Sequence, residues 1–418
     1  MSSSLVVWIL QTGEPLHIDA GNPRPMRAMN LSNKLIDAGH SVVLWSSAFS
    51  HQVKKHRSKK YKNQQVTENL EIRLINSCGY KKHIGLARLL DHFQLSWNLS
   101  KALKKEKNIP DVVFIGYPPI ETAFVMSRWL KKRKVPMILD IKDLWPSIFV
   151  DAFPKKIQPL VKILLQPYFY LARDTMRNVS GISSMSRSYI EWCLSFSGKQ
   201  SSSNDIVTRL TTAIGNIDHQ GLSLEKERWK DIGVHDKEGI ARVFFAGTFS
   251  TAFEFDDIID AAKQMSKCQF ILCGHGPCLT EIKDKADDLP NVVFPGWIDR
   301  LQMESLAEMS MATLAPYKNV ENFTLNIPNK IVDSLLLGLP ILSPLKGEVE
   351  SLITNNKVGF TYGSNSPLVD CIQSLVDNDK LQKEMSLNAK KLYEDEFEFD
   401  KVYDGLVDHL EHMVIKND

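Results

Sequence analysis

The sequence predicts an α/β protein made of two Rossmann-like, doubly wound parallel-sheet domains facing a cleft. Three observations carry that expectation. Short apolar runs alternate with helical patterns along the chain, as strands of a parallel sheet alternate with their crossover helices. The alternation pauses at Ser197–Asp205, a stretch rich in Ser, Gly, Lys and Asn that reads as a linker, and then restarts. Charge divides at the same place: residues 1–200 hold 30 Lys and Arg against 14 Asp and Glu, a balance of +16, and residues 201–418 hold 21 against 35, a balance of −14. A chain of 418 residues is long for one domain and comfortable for two. The expected boundaries are therefore 1–200 for an N-terminal domain and 205–395 for a second domain. A last helix, 396–418, is placed to cross back to the first.

In chain order, Leu5–Leu10 is the first strand, followed by a polar loop and a helix over Met26–Ala38 that stops at Gly39. Ser41–Ser46, Asp111–Gly116, Met137–Ile141 and Gly181–Ser183 are the next short apolar strands, with helical runs between them. In the second half Ala241–Ala246, Gln269–Cys273, Val292–Phe294, Met311–Ala315 and Ile341–Ser343 read as strands. The helices between them are Phe255–Met265, Leu279–Asp288, Leu301–Ser310 and the one opening at Asn329.

Composition excludes several classes. The first apolar run has no basic residue before it, so it reads as a strand and not as a signal peptide. No run approaches the ~18 apolar residues of a membrane span; the richest stretch, Ile157–Leu171, is broken by Lys162 and two prolines. Cys268, Cys273 and Cys278 are spaced as core thiols on a strand and its turn, which fits a reducing compartment. The basic runs Lys54–Lys62 and Lys131–Lys134 hold Tyr61 as their one Phe, Tyr or Trp, too few for base stacking, which disfavours nucleic acid; each also reads as a solvated loop.

The most informative stretch is Asn326–Ser343. Pro328 suits the start of a helix, Gly338 its end, and Pro340 prevents a restart. Asn329, Lys330 and Asp333 crowd the first two turns, where free N–H groups and the positive end of the dipole would seat a diphosphate. Lys330 adds a cation there, and Asp333 lies within reach of a sugar hydroxyl. An ordinary capped core helix would show a similar pattern.

Three further loops follow strands of the second half: Gly247-Thr248-Phe249-Ser250, Gly274-His275-Gly276-Pro277 and Pro295-Gly296-Trp297-Ile298. A glycine after a strand lets backbone N–H groups approach a phosphate, and it also makes a plain turn. In this order, with Asn291-Val292-Val293-Phe294-Pro295-Gly296 and Gly338-Leu339-Pro340, the loops resemble the nucleotide-sugar domain of GT-B glycosyltransferases, in particular the retaining enzymes of family 4. The resemblance covers about residues 240–395 well and 1–200 more loosely, through Met26-Arg27 and Gly39-His40-Ser41-Val42-Val43. Asp140-Ile141-Lys142-Asp143-Leu144-Trp145-Pro146 is similar to an "Asp-Leu-Trp-Pro" subgroup of bacterial O-antigen and capsule synthesis, fucosamine transferases among them.

The resemblance implies a nucleotide-sugar donor, no metal ion, and donor contacts from Gly247, Thr248, Phe249, Gly274, His275, Gly276, Trp297, Ile298, Asn326, Asn329 and Asp333. The family carries two glutamates eight residues apart around the last helix. Asp333 stands in place of the ribose-binding second, and the first falls on Leu325, which cannot do that work. Glu321 and groups near Asn326 are the candidates to replace it. The family's Arg and Lys after the first glycine loop are also missing, which leaves Lys330 as the cation for the diphosphate.

On the acceptor side Asp143 follows a strand, so its carboxylate is placed to take a proton from a hydroxyl; a helix or turn cap is the alternative. Gly13, Glu14, Arg24 and Arg27 lie in or just after the loop behind the first strand, as acceptor-binding candidates. Three functions remain distinct: sugar transfer to a hydroxyl acceptor on a lipid-linked glycan, a nucleotide-sugar 2-epimerase on the same fold, and non-catalytic sugar binding. The +16 balance and the apolar Ile157–Leu171 lead to one more expectation, a cytoplasmic protein bound peripherally to the anionic inner membrane face through residues 1–200.

Overall fold

The computed structural model describes residues 4–21, 23–81, 85–213, 219–234 and 240–415. It divides into two compact units, Met1–Thr208 with Val402–Asp418, and Arg209–Lys401. No helix of the described residues is long and apolar enough to cross a membrane.

The strands of the first unit are β1 (Val6–Leu10), β2 (Ser41–Ser47), β3 (Phe49–Ser50), β4 (Lys55–His56), β5 (Lys62–Thr67), β6 (Leu70–Ile75), β7 (Val112–Tyr117), β8 (Met137–Ile141), β9 (Gly181–Ser184) and β10 (Ile206–Val207). Its helices are α1 (Arg27–Asp37), α2 (Leu86–Lys105), α3 (Ile120–Lys131), α4 (Ser147–Asp151), α5 (Gln158–Leu164), α6 (Gln166–Asn178) and α7 (Arg187–Ser197). Eight strands form one sheet in the order β10-β9-β8-β7-β1-β2-β6-β5, parallel throughout except for β5 against β6. β1 and β7 are apolar runs because helices cover both faces of the sheet, as parallel sheets require. Trp8 of β1 sits between Trp45, with ring centroids 5.2 Å apart, and Trp129, at 5.6 Å.

β6 was not evident from apolar pattern because Glu71 and Arg73 interrupt it. Arg73 is nevertheless buried, with Glu71 at 3.0 Å and its guanidinium 4.8 Å from the Trp45 ring. The basic run is also more ordered than a solvated loop. β4 within it pairs with β3 just before it, and Arg57 is held by Asp19 at 2.5 Å and by the carbonyl of Ser47 at 3.0 Å.

Ser197–Asp205 does not join the two units. It links α7 to β10, which adds to the edge of the first sheet beside β9, and the change of unit falls at Thr208/Arg209.

The second unit holds α8 (His219–Asp231), β11 (Ala241–Ala246), α9 (Asp256–Gln264), β12 (Cys268–Cys273), α10 (Leu279–Lys285), β13 (Val292–Gly296), α11 (Arg300–Glu308), β14 (Ala312–Leu314), α12 (Glu321–Thr324), α13 (Asn329–Leu337), β15 (Ile341–Ser343), α14 (Glu348–Asn356), β16 (Gly359–Thr361), α15 (Leu368–Asp377) and α16 (Asp379–Leu392). Its sheet is parallel, in the order β13-β12-β11-β14-β15-β16. Phe245, Phe249, Phe255 and Phe270 fill the core on one face. Cys268 and Cys273 are buried, and burial pushes each thiol up to about 12, as inert core cysteines.

The last helix, α17 (Phe399–Ile415), returns to the first unit from Val402 onward. There Asp404 meets Lys34 of α1 at 2.8 Å, and Glu411 meets His40 at 2.8 Å.

Candidate functional site

Each sheet changes winding direction once, and ligands of open α/β sheets bind at such points, beyond the carboxyl ends of the strands. In the first sheet the point lies between β1 and β7. A cavity of about 210 Å³ opens there, walled by Gln11–Glu14 after β1, Ser47 of β2, Tyr117–Pro119 at the end of β7, and Lys142 and Asp143 after β8. Asp143 is thus in the wall, partly exposed, and the N-cap position of α4 belongs to Pro146, so Asp143 does not cap that helix.

Two of the acceptor-binding candidates, Glu14 and Arg27, are tied into a buried charge network. Glu14 is buried and accepts from the N–H of Ala28 at 2.9 Å, from Gln11 Nε2 at 3.1 Å and from Lys142 Nζ. Arg27 is buried too: it reaches Asp140 at 3.3 Å and donates to the carbonyl of Thr208 at 2.9 Å. Lys142 lies 3.7 Å from Asp140 and closes the chain of charges. Glu14, Lys142, Asp140 and Arg27 therefore tie the start of α1 to the ends of β1, β8 and β10; Arg27 is framework, and Glu14 both joins that framework and lines the cavity. Gly13 and Arg24 remain exposed, and Gly13 accepts from Gln52 Nε2 at 2.7 Å through its carbonyl.

The rest of the cavity wall escaped sequence reading. α2 contributes Arg88, Asp91, His92 and Leu95, and His51 and Tyr80 stand opposite. Asp91 accepts the N–H of Gly79 at 2.6 Å. Burial, with Arg88 and His51 nearby, pushes His92 down to about 3, so its imidazole is neutral at pH 7. Behind it, burial pushes the Glu121 carboxyl up against the effect of a 2.5 Å hydrogen bond from Tyr168. Polar residues spaced three, four and seven apart, on the same face as a buried Leu95, were the available signal.

In the second sheet the switch lies between β11 and β14, and Lys330 of α13 is its central feature. α13 begins as expected, with extended Pro328 at its N-cap, and ends on Gly338 at φ 65°. Lys330 turns its ammonium onto the carbonyl of Ala246, over the Phe245 ring at 4.3 Å and the Phe253 ring at 5.3 Å. Burial pulls its pKa down to about 8, against the opposing effect of Asp333 one turn on.

Gly247 exists to let this lysine through, since a Cβ there would stand 1.8 Å from Nζ. The same holds for its neighbours: a Cβ on Gly274 would meet the Gly247 carbonyl at 1.8 Å, and one on Gly276 the Phe249 carbonyl at 2.3 Å. The loops are zipped together by Gly247 N–H to Cys273 at 2.9 Å, Gly274 N–H to Gly296 at 2.6 Å and Phe249 N–H to His275 at 3.0 Å. These N–H groups are spent on packing, which corrects the expectation that they approach a phosphate. Phe249 is corrected as well, because its ring lies wholly in the core.

Thr248, His275, Trp297, Glu321 and Asn329 are exposed, and Ile298 and Asp333 are partly so. Asn326 is buried, and its side-chain oxygen has no hydrogen-bond partner among the described residues, which suits an acceptor aimed at a ligand. Among the described residues no cluster of three or more His, Cys, Asp or Glu could hold a metal.

Two parallel, doubly wound units, each with a polar seat at its switch point, define a protein of the GT-B type. The whole chain superposes on solved glycosyltransferases. Sucrose-phosphate synthase from Thermosynechococcus elongatus matches with a TM-score of 0.70 at 12% identity, covering 99% of this chain and 100% of that one. HepE from Anabaena, solved with UDP, matches at 0.64 and 15%, covering 98% and 100%. WaaG, a glycosyltransferase involved in lipopolysaccharide biosynthesis, matches at 0.62 and 13%, covering 97% and 99%. Residues 241–378 match the family model of glycosyl transferases group 1. That match places a group 1 glycosyltransferase domain in the second unit. No curated protein sequence matches the chain.

Proposed function

We propose that this glycosyltransferase moves a sugar, with retention of anomeric configuration, from a nucleoside-diphosphate sugar to a hydroxyl of a lipid-linked glycan in bacterial surface-polysaccharide synthesis. The observation that carries the donor half is Lys330, a desolvated ammonium at the start of α13 and the end of β11. When the glycosidic bond breaks, negative charge grows on the diphosphate, and a cation already stripped of water stabilises it there. In this reading Lys330 and the α13 N-terminus meet that charge and no metal is called upon. Asp333 accepts from the ribose, and the orphan oxygen of Asn326 faces the ligand. UDP in the HepE structures and ADP in a starch synthase IV structure support a nucleoside-diphosphate ligand of this class. Asp143, in the cavity wall of the first unit, takes the acceptor proton. Retention follows from the family 4 resemblance.

The acceptor's lipid places the reaction at the cytoplasmic face of the inner membrane, where the basic first unit binds peripherally. A thermal-shift screen with UDP, GDP, ADP and dTDP identifies the nucleotide, because a ligand that binds only the folded state raises its melting temperature. Incubation with the matching nucleotide-sugars and a membrane extract, read by the anomeric signals of the product, then tests transfer. Epimerised donor with no transfer would overturn the reading.

A further inference from the structure

The first unit carries an apolar face that its own chain does not cover. α2 is two-sided. Arg88, Asp91, His92 and Leu95 line the cavity on one side. Leu86, Leu90, Phe93 and Trp97, spaced four, three and four apart, share the opposite side and are 54–78% exposed. α5 is a seven-residue helix, Gln-Pro-Leu-Val-Lys-Ile-Leu, in which no residue is buried; Leu160, Ile163 and Leu164 are 60–70% exposed. The two helices are linked through α6, whose Tyr168 ring packs edge-on against Phe93 at 6.4 Å. A run this short and apolar does not stay helical in water on propensity alone, and an exposed patch of this kind marks a contact surface.

Charge identifies the occupant. No Asp or Glu occurs between Asp151 and Asp174, while Lys155, Lys156, Lys162 and Arg173 do. On α2 the one acidic residue, Asp91, is buried, and Lys101, Lys104 and Lys105 follow Trp97, with Lys101 over the Trp97 ring at 5.4 Å. Aliphatic and aromatic side chains fringed by lysines and free of carboxylates match the boundary layer of an anionic bilayer, where apolar groups enter and lysine stems reach back to the headgroups. We propose that the α2–α5 face docks on an anionic lipid bilayer, so that α2 is at once the membrane-seated helix and a wall of the cavity. The proposal rests on the reading that the acceptor is lipid-borne, and it locates the contact on two helices rather than on Lys54–Lys62. A lipid-anchored glycan would then reach the cavity alongside α2 without leaving the membrane surface.

The test is flotation of the full-length protein with phosphatidylcholine vesicles, with and without phosphatidylglycerol. The double variants Phe93→Asp/Trp97→Asp and Ile163→Asp/Leu164→Asp are compared with a loop variant, Lys55→Glu/Lys59→Glu/Lys60→Glu. Both helix variants should bind anionic vesicles at least about tenfold more weakly, since each removes apolar area from the interface, and the loop variant should keep most of its binding. Helix variants that bind like the wild type would overturn the docking face and leave peripheral binding standing. A wild-type protein that floats with neither vesicle, or equally with both, would take the membrane reading down as well. Hydrogen exchange of the wild type supplies a readout that needs no variant: vesicles should slow exchange across 86–105 and 158–164, and unchanged exchange there overturns the proposal.

Discussion

At the end of the first sheet Glu14, Lys142, Asp140 and Arg27 hold one another, whereas at the end of the second Lys330 leans on a carbonyl and two aromatic rings. Among the described residues no ion pair holds the Lys330 ammonium. The two regions occupy equivalent places in similar sheets, yet their charges serve opposite ends. Charges that already have partners are satisfied, and they fix the backbone between which a cavity stays open. A cation kept short of partners costs stability in the free protein and gains most when an anion arrives.

The comparison breaks first at Asp143, the carboxylate that lines the first cavity. Asp143→Asn should cut transfer by about 1,000-fold, the middle of the range for general-base loss, while calorimetry still shows nucleotide binding. Retained transfer would reduce it to a wall residue. Lys330→Ala should cost about 100-fold in turnover, as for loss of one preorganised charge stabiliser. Lys330→Met should lose the same activity and melt no lower than the wild type, because a thioether is content among Phe245 and Phe253. A marked drop in its melting temperature would mean that Lys330 is framework, like Lys142.

The reverse experiment is Arg27→Met, which takes from buried Asp140 its guanidinium and leaves it only Lys142 at 3.7 Å and the Ser183 hydroxyl at 3.0 Å. It should destabilise the first unit by about 3 kcal/mol or more and leave nucleotide affinity untouched. Asp333→Ala should weaken nucleotide binding by about 1–3 kcal/mol, and equal affinity by calorimetry removes it from the ribose.

The smallest effect is on pH. The Lys330 pKa is lowered from 10.5 to about 8, so the protonated form that attracts a diphosphate is lost as pH rises through about 8. Donor kcat/KM should be flat below that value and fall above it. Stability moves the other way: between about 8 and 10.5 the folded protein binds fewer protons than the unfolded chain, so this residue's cost, fully present below 8, fades as pH rises. A kcat/KM profile flat to pH 10 would show that the ammonium is not needed in its charged form.

Much of this arrangement was legible in the sequence. β11, β15 and the limits of α13 are local matters of apolar runs, Pro328 and Gly338, and they lie where pattern places them. Lys330 was visible for the same reason. Glu14 and Arg27 were visible as charged residues in a loop, but their partners Lys142 and Asp140 stand more than a hundred residues away, and only the fold brings them together. The glycine loops show a subtler limit. Gly247, Gly274 and Gly276 were recognisable as special, yet the reason is what a Cβ would strike, and that belongs to neighbouring loops. The α2 face was missed because Arg88, Asp91 and His92 break an apolar helical pattern on the side that turns inward, leaving the oily side to solvent.

The way α17 rejoins the first unit also bears on how the protein is made. Arg209–Lys401 is one uninterrupted segment inserted into a unit whose last helix comes afterwards. A ribosome adding roughly 5–20 residues per second takes roughly 10–40 s to traverse that insertion. Throughout that time α1 waits with Lys34 and His40 unmet by Asp404 and Glu411. The second unit can finish folding as soon as its own chain has emerged, so the protein is completed in the reverse of the order in which its two halves begin.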